Sequence, residues 1–309
     1  KPGAPPPQDE PADGFHALNW AAGSDLAAVL AEPGAEFEFP VHVVHLAVPG
    51  DEVSVTHPRT VVRAGRGSQL EVIETYVSLG GRSISNASTR ILAGEGASVT
   101  YQRVVAEGAG AVHVGRAGIE QASGSAVTAT SVITGGDIVR TALDVRLDGL
   151  DANVALHGLY LPTGHERHDT VVTVDHAASR CTSSQRFKGV VDDRARGSFS
   201  GHVIVRPGTV GTDATQSNPN LVLAPTAQAD TRPWLEIFAD QVRCTHGASV
   251  GRLDHDAIFY LRTRGISLAD SRAMLVEAFA AEVIDAIAPS SLRDWVAAAA
   301  GCGRREVTA

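Results

Sequence analysis

Gln69-Leu-Glu-Val-Ile-Glu-Thr-Tyr-Val77, Ala97-Ser-Val-Thr-Tyr-Gln-Arg-Val-Val105 and Ala126-Val-Thr-Ala-Thr-Ser-Val-Ile133 share one texture. Each is short, rich in β-branched residues and alternates apolar with polar, the pattern of a strand with one buried face. Phe37-Glu-Phe-Pro-Val-His-Val-Val44 has the same character. Small-residue breaks separate the runs: Gly65-Arg-Gly67, Gly80-Gly81, Gly94-Glu-Gly96, Gly108-Ala-Gly110 and Gly135-Gly136-Asp137. Nothing between them offers the crossover helix of about ten residues that a βαβ sheet requires. The middle of the chain is therefore an all-β core. About two hundred residues of such runs fit a parallel β-solenoid better than a single sandwich. The expected interior is a narrow tube of Val, Ile, Leu and Ala with little room for rings, in keeping with 5% aromatic residues. No strict sequence repeat marks the coils.

Outward from this core the texture changes twice. Residues 1–14 hold Pro2, Pro5, Pro6, Pro7 and Pro11 among charges and glycines, which predicts a flexible linker without the apolar segment of a secretory signal. The chain opens on Lys1 rather than Met, so residues are expected upstream. Phe15 to about Leu30 is helix-capable and ends at Pro33-Gly34. After Gly265 the pattern becomes helical. Ser267 can cap a helix with Asp270 near its amide dipole, and Val276, Phe279, Ala280, Val283, Ile284 and Ile287 form a stripe that Pro289 stops. Ser290 or Ser291 can start a second helix through Leu292, Trp295 and Val296 to Gly301. The expected division is a linker over 1–14, a core over 15–250 and a helical domain over 251–309. The helical pair is too small to stand alone, so it either caps the core or presents a face to a partner.

Composition excludes several classes of function. A chain of 309 residues that is 43% apolar can bury a sizeable core. No run of about eighteen apolar residues is present, so no membrane span is expected. A formal charge of -9 argues against a nucleic-acid surface. Cys181, Cys244 and Cys302 are odd in number and widely spaced, neither a disulfide framework nor a metal clip. That usage suits a reducing, cytoplasmic compartment.

Most motifs are decoys. Gly247-Ala248-Ser249-Val250-Gly251 matches a nucleophile elbow, yet no His follows His255, so the triad order cannot be assembled and a small-residue turn is expected. There is no phosphate-binding G-x-x-x-x-G-K-[ST] loop, no dinucleotide fingerprint and no HExxH. His165, His168 and His176 lie near Asp169 and Asp175, but His165 and His168 have opposite parity on a strand, and they read as turn and surface histidines. Cys244-Thr245-His246 stands apart. Cys244 and His246 project to one face of a strand, and a thiolate beside an imidazole suits iron or zinc. Two donors do not close a site, so the pair is either half of a shared one or a buried thiol beside a hydrogen-bonded imidazole.

Longer stretches then carry a resemblance. Asn220 to Ser267, NLVLAPTAQADTRPWLEIFADQVRCTHGASVGRLDHDAIFYLRTRGIS, closely resembles the SufB/SufD family of the SUF iron–sulfur cluster assembly scaffold. His168 to Val191, HDTVVTVDHAASRCTSSQRFKGVV, is similar to the same family, as are the FHALN stretch at Phe15 and the helix containing FAAEVIDAI. The resemblance spans nearly the whole chain and is most specific over residues 168–287. Ala227 stands where SufB has its cluster-related cysteine, and Cys244-Thr245-His246 where SufB has an E-H-E run. Both departures point to the SufD side of the family.

The resemblance implies a right-handed parallel β-helix flanked by helices and a non-enzymatic scaffold role. It implies pairing with a SufB paralogue and docking of a SufC ATPase on the C-terminal helices, which agrees with the missing phosphate loop. It also implies that His246, with Cys244 beside it, contributes to a nascent, transient iron–sulfur cluster at the SufB interface, with no cluster held stably by this chain alone. Cys181 reads as a packed core thiol and Cys302 as incidental. Two alternatives stay open: a homodimeric scaffold pairing through sheet edges near His246, and a β-helix enzyme acting on polysaccharide, with Asp192, Asp193 and Asp213 as acids but few aromatic platforms.

Overall fold

The computed structural model describes residues 13–300, so most of the expected linker and Cys302 lie outside the described residues. Helix α1 (Gly14–Ala22) leads into β1 (Ala27–Ala31), β2 (Val41–Ala47), β3 (Ser54–Thr56) and β4 (Arg59–Ala64). Longer strands follow: β5 (Gln69–Ser78), β6 (Ser83–Ala93), β7 (Ser98–Ala106), β8 (Ala111–Gln121), β9 (Ala126–Gly135) and β10 (Ile138–Leu147). The series continues with β11 (Asn153–Tyr160), β12 (Arg167–His176), β13 (Thr182–Val191), β14 (Arg196–Val205), β15 (Thr212–Val222), β16 (Gln228–Ile237) and β17 (Val242–Gly251). Helices α2 (His255–Thr263), α3 (Leu268–Ile284) and α4 (Ser290–Ala299) close the described chain.

From β4 onward a strand does not pair with its sequence neighbour; it pairs, in parallel, with the strand two further on. The chain thus alternates between a nine-stranded sheet, β1-β4-β6-β8-β10-β12-β14-β16 with β3 beside β6, and an eight-stranded sheet running from β2 to β17. This is a parallel β-helix. The coil length was hidden from sequence comparison because it varies, and one corner shows how. Gly34, Gly67, Gly96, Gly124, Asp151, Arg180 and Gly211 all adopt positive φ, 27 to 33 residues apart. Each sends its N–H to a carbonyl of the next coil, Gly67 to Glu95 and Gly96 to Ser123 for example. Only the backbone conformation repeats, and Gly, Asp and Arg all supply it here.

The helix-capable stretch from Phe15 resolves into two elements. Asp13 accepts the His16 N–H at 2.8 Å and caps α1, which ends at Gly23. Ala27–Ala31 is instead the first strand, in register with Thr60–Ala64 of β4. The ladder there outweighs the helical preference of Ala and Leu.

The interior is less uniformly aliphatic than a narrow tube predicts. Tyr76, Tyr101, Tyr160, Phe187 and Phe199 are among its largest fully buried side chains. Glycine makes their space: a Cβ on Gly158 would lie 2.0 Å from the Phe187 ring, and one on Gly189 would lie 2.3 Å from that of Tyr160. Polar groups enter as well. The Glu74 carboxylate is wholly buried and accepts from Thr60, Thr89 and Tyr101, with His45 Nε2 at 3.0 Å. Burial alone raises its pKa, but these hydrogen bonds, His45 foremost, outweigh it and bring the carboxyl to about 2.

The terminal helices do not cap the solenoid. They lie on the outer face of the eight-stranded sheet, where Val104, Val132, Leu159, Val190 and Leu221 meet Val276, Val283, Ile284 and Val296. Neighbouring apolar residues such as Val104-Val105 and Val190-Val191 therefore serve opposite faces of one strand. Ser267 accepts the Asp270 N–H at 3.1 Å to start α3. Lys188 reaches the Phe279 carbonyl and Glu282, both at 2.8 Å, and Arg186 meets Glu282 at 2.6 Å. The Gln102 amide brackets Ala288, taking its N–H and donating to its carbonyl. Helix α2 was not apparent from the sequence: Asp254 caps it, accepting from Asp256 N–H at 2.9 Å, and its Ile258 is buried.

Replacing Glu74 by Ala strands three buried donors and lowers unfolding stability by about 3 kcal/mol, with Glu74→Gln losing less, as urea denaturation measures. Acid weakens the fold in two steps. Burial, partly offset by the Gly136 carbonyl and by Asp175 respectively, brings the pKa values of His168 and His176 from 6.5 to about 4. The unfolded chain takes up protons that these imidazoles refuse, so stability falls from pH 6.5 to 4 by up to about 3 kcal/mol per histidine. The Glu74 contribution, full above pH 4.5, is lost between 4.5 and 2. Urea midpoints that stay level from pH 7 to 4.5 would contradict the first step.

Candidate site at the open end of the solenoid

A stacked parallel helix ends where a strand has no successor. Here β16 and β17 are the last members of their sheets, each hydrogen-bonded to another strand along one edge only. Cys244 and His246 lie on β17. Strand alternation and register fix their direction: Cys244 stacks on Ala214 and His246 on Gln216, both buried. The two residues therefore stand on the inward line of the final coil. Cys244 is half-buried against Val203, Val205, Ala214 and Leu235. His246 is exposed, because no further coil of the described residues covers it. Burial pushes the Cys244 thiol pKa up and Asp213 adds to the shift, against a lowering hydrogen bond from the Ala214 backbone. At neutral pH Cys244 is a thiol, and a metal ion must displace its proton to bind it.

The other candidates fall into place around this pair. Gly247 to Gly251 form the end of strand β17 rather than a turn, in parallel register with residues 217–221. His165 is exposed, but His168 and His176 are core residues, contrary to a surface reading. His176 Nε2 is 2.9 Å from Ser183 Oγ, and His168 Nε2 is 3.3 Å from the Gly136 carbonyl. Asp169 pairs with Arg140, and Asp175 with Arg206 at 2.9 Å. Asp192 and Asp193 accept backbone N–H groups in turns, and Asp213 faces Arg243 at 3.6 Å. Cys181 is fully buried and its thiol donates to the Gly149 carbonyl. Ala227 is buried against Val191, Ala195 and Val222. Among the described residues no set of three His, Cys, Asp or Glu side chains can hold a metal ion. No described helix is long and apolar enough to cross a membrane.

Sequence reasoning missed the polar lining behind the pair. Gln185, Gln216, Asn218 and Asn220 all point inward from the last full coils and are nearly fully buried. The signal was present in Gln216-Ser-Asn-Pro-Asn220, where amides occupy alternate positions that apolar residues fill in earlier coils.

A parallel β-helix with edge strands at both ends, helices along one flank, and a thiol beside an imidazole on its last strand has the form of a scaffold, and the comparisons agree. The SUF system FeS cluster assembly SufBD core domain matches residues 46–279. The iron–sulfur cluster assembly protein SufD of Escherichia coli K12 is 31% identical over 293 residues, covering 94% of this chain and 69% of that protein. A SufBD family iron–sulfur cluster assembly protein of Synechocystis is 30% identical over 297 residues, covering 93% and 66%. The chloroplastic protein ABCI7 of Arabidopsis thaliana is 27% identical over 292 residues, covering 91% and 61%. The chain belongs to the SufBD family of the SUF iron–sulfur cluster assembly system. Its members are non-catalytic scaffolds, which sets aside the polysaccharide-enzyme reading. The chain spans about two thirds of the length of these relatives.

The thiol gives a direct test. Iodoacetamide labels Cys244 in the native chain more slowly than a free cysteine peptide at pH 7.5, and its rate keeps rising on the alkaline side where the peptide has levelled off. Peptide mass mapping reads the site. Labelling as fast as the peptide at pH 7.5 would contradict a burial-raised thiol.

Proposed function

We propose that this chain is one half of a two-chain scaffold on which iron–sulfur clusters are built, paired with a SufB paralogue through the open end at β16 and β17. One observation carries this reading: the last coil is paired along one edge only and presents Cys244 and His246 together. An exposed strand edge is a template for another chain, and pairing across it covers the polar mouth of the solenoid. The cluster is cargo here. Thiolate is its usual ligand and imidazole an accepted one, so two donors from this chain and the rest from the paralogue make a closed set. The work belongs in a reducing, cytoplasmic setting, where Cys244 stays a thiol until metal arrives.

The C-terminal helices suit docking of a SufC ATPase. Phe259 on α2 is 70% exposed, an anchor for a partner to cover. Movement imposed on α3 has a route into the solenoid, since Lys188, Arg186 and Gln102 tie the helical segment to β13 and β7. Nucleotide-driven motion of the ATPase thus strains the coils behind the paired edge.

The test is reconstitution with the paralogue and the ATPase. His246→Ala leaves the complex assembled and lowers cluster yield at least fivefold; full yield would remove His246 from the site. Phe259→Glu releases the ATPase from co-purification while the paralogue stays bound. Retention of the ATPase would contradict docking on α2, and recovery of a homodimer in place of the mixed pair would contradict pairing with the paralogue.

A further inference from the structure

We infer that Gln216 is a positioning residue for His246: its amide oxygen accepts a ring N–H of His246 and so decides which imidazole nitrogen keeps a lone pair for metal. The inference rests on the reading of His246 as a donor to the cargo cluster. It starts from register. Leu156, Gln185, Gln216 and His246 occupy one inward column on four successive coils of the eight-stranded sheet. Side chains in such a column stack about 4.8 Å apart. The column is apolar at Leu156 and polar from Gln185 to the open end.

The hydrogen bonds within the column leave one donor over, Gln185 Nε2, and one acceptor, Gln216 Oε1. Gln216 is 3% exposed, and its Nε2 donates to Gln185 Oε1 at 2.8 Å. Its Oε1 is buried without a hydrogen-bond partner. The neighbouring amides are committed elsewhere: Asn218 Nδ2 donates to the Phe187 carbonyl and the Tyr160 hydroxyl, and Asn220 Nδ2 donates to Asn218 Oδ1. The Gln216 amide also has little freedom to turn away. It lies over Gly201 of the facing sheet, where an added Cβ would sit 2.2 Å from Nε2. A braced amide with a free oxygen is thus the column neighbour of His246, an exposed imidazole whose rotation would bring a ring N–H to that oxygen.

A buried carbonyl behind a ligating histidine is a recurrent device. It holds the ring's orientation and tautomer, so that the opposite nitrogen is available as a donor. Gln216 does this from within the solenoid, and Gln185 braces it in turn. The pair links the interior lining to the edge that a partner covers.

The experiment reads the tautomer directly. The full chain is labelled with ¹⁵N-histidine, and the His246 ring signals are assigned by their loss in His246→Gln. At pH 8 the wild-type His246 shows one dominant tautomer, and Gln216→Met shifts the ratio toward that of free histidine while the other histidine signals stay in place. If Gln216→Met does not fold, Gln185→Met removes the brace and produces the same shift in part. An unchanged His246 tautomer in a folded variant overturns the inference. Cluster yield in the reconstituted complex separates the two readings. A shifted tautomer with full yield in His246→Ala keeps the hydrogen bond and removes the donor role. An unchanged tautomer with lost yield in His246→Ala keeps the donor role and removes Gln216.

Discussion

A parallel strand ladder satisfies its backbone only by adding another strand, and in this chain the addition stops at β16 and β17. The proposed pairing depends on that stop. Interior coils bury their inward side chains under the next coil; among the described residues no further coil lies above the last. The same parity that packs Ala214 and Gln216 inside leaves Cys244 partly covered and His246 bare. Exposure of the candidate donors is thus a consequence of position in the stack, and needs no special loop or cleft.

The interior is graded to match. Early coils hold the Glu74 hub, closed by four hydrogen-bonding side chains. Middle coils are filled by Val, Leu and rings seated against glycine. The last full coils turn to Gln and Asn. These amides bond to one another and to the backbone, so the lining rigidifies the end of the tube. On the outside, Lys188, Arg186 and Gln102 fasten the helical segment to the sheet, so a load on the helices reaches the coils.

How much of this was legible in the sequence depends on which physics wrote it. Val and Thr alternation in runs such as Ala97–Val105 announced strands, and the missing crossover helices announced a solenoid. The Ser267 cap and the Val276–Ile287 stripe gave the long helix. The repeat itself was illegible, because a left-handed corner tolerates Gly, Asp or Arg and a coil tolerates 27 to 33 residues. Ala27–Ala31 looked helical because its strand character comes from pairing with β4, a long-range partner. Cys244 and His246 could be placed on one face from their spacing alone. That the face is inward, and that Gln216 lies beneath His246, required the register.

Amide hydrogen exchange tests directly whether β16 and β17 form the pairing edge. The amides of residues 228–237 and 242–251 that point away from β14 and β15 exchange readily in the isolated chain and gain strong protection when the SufB paralogue binds. The interior strands would change little. A stable complex in which those amides exchange as before, with protection appearing on another face, would contradict it.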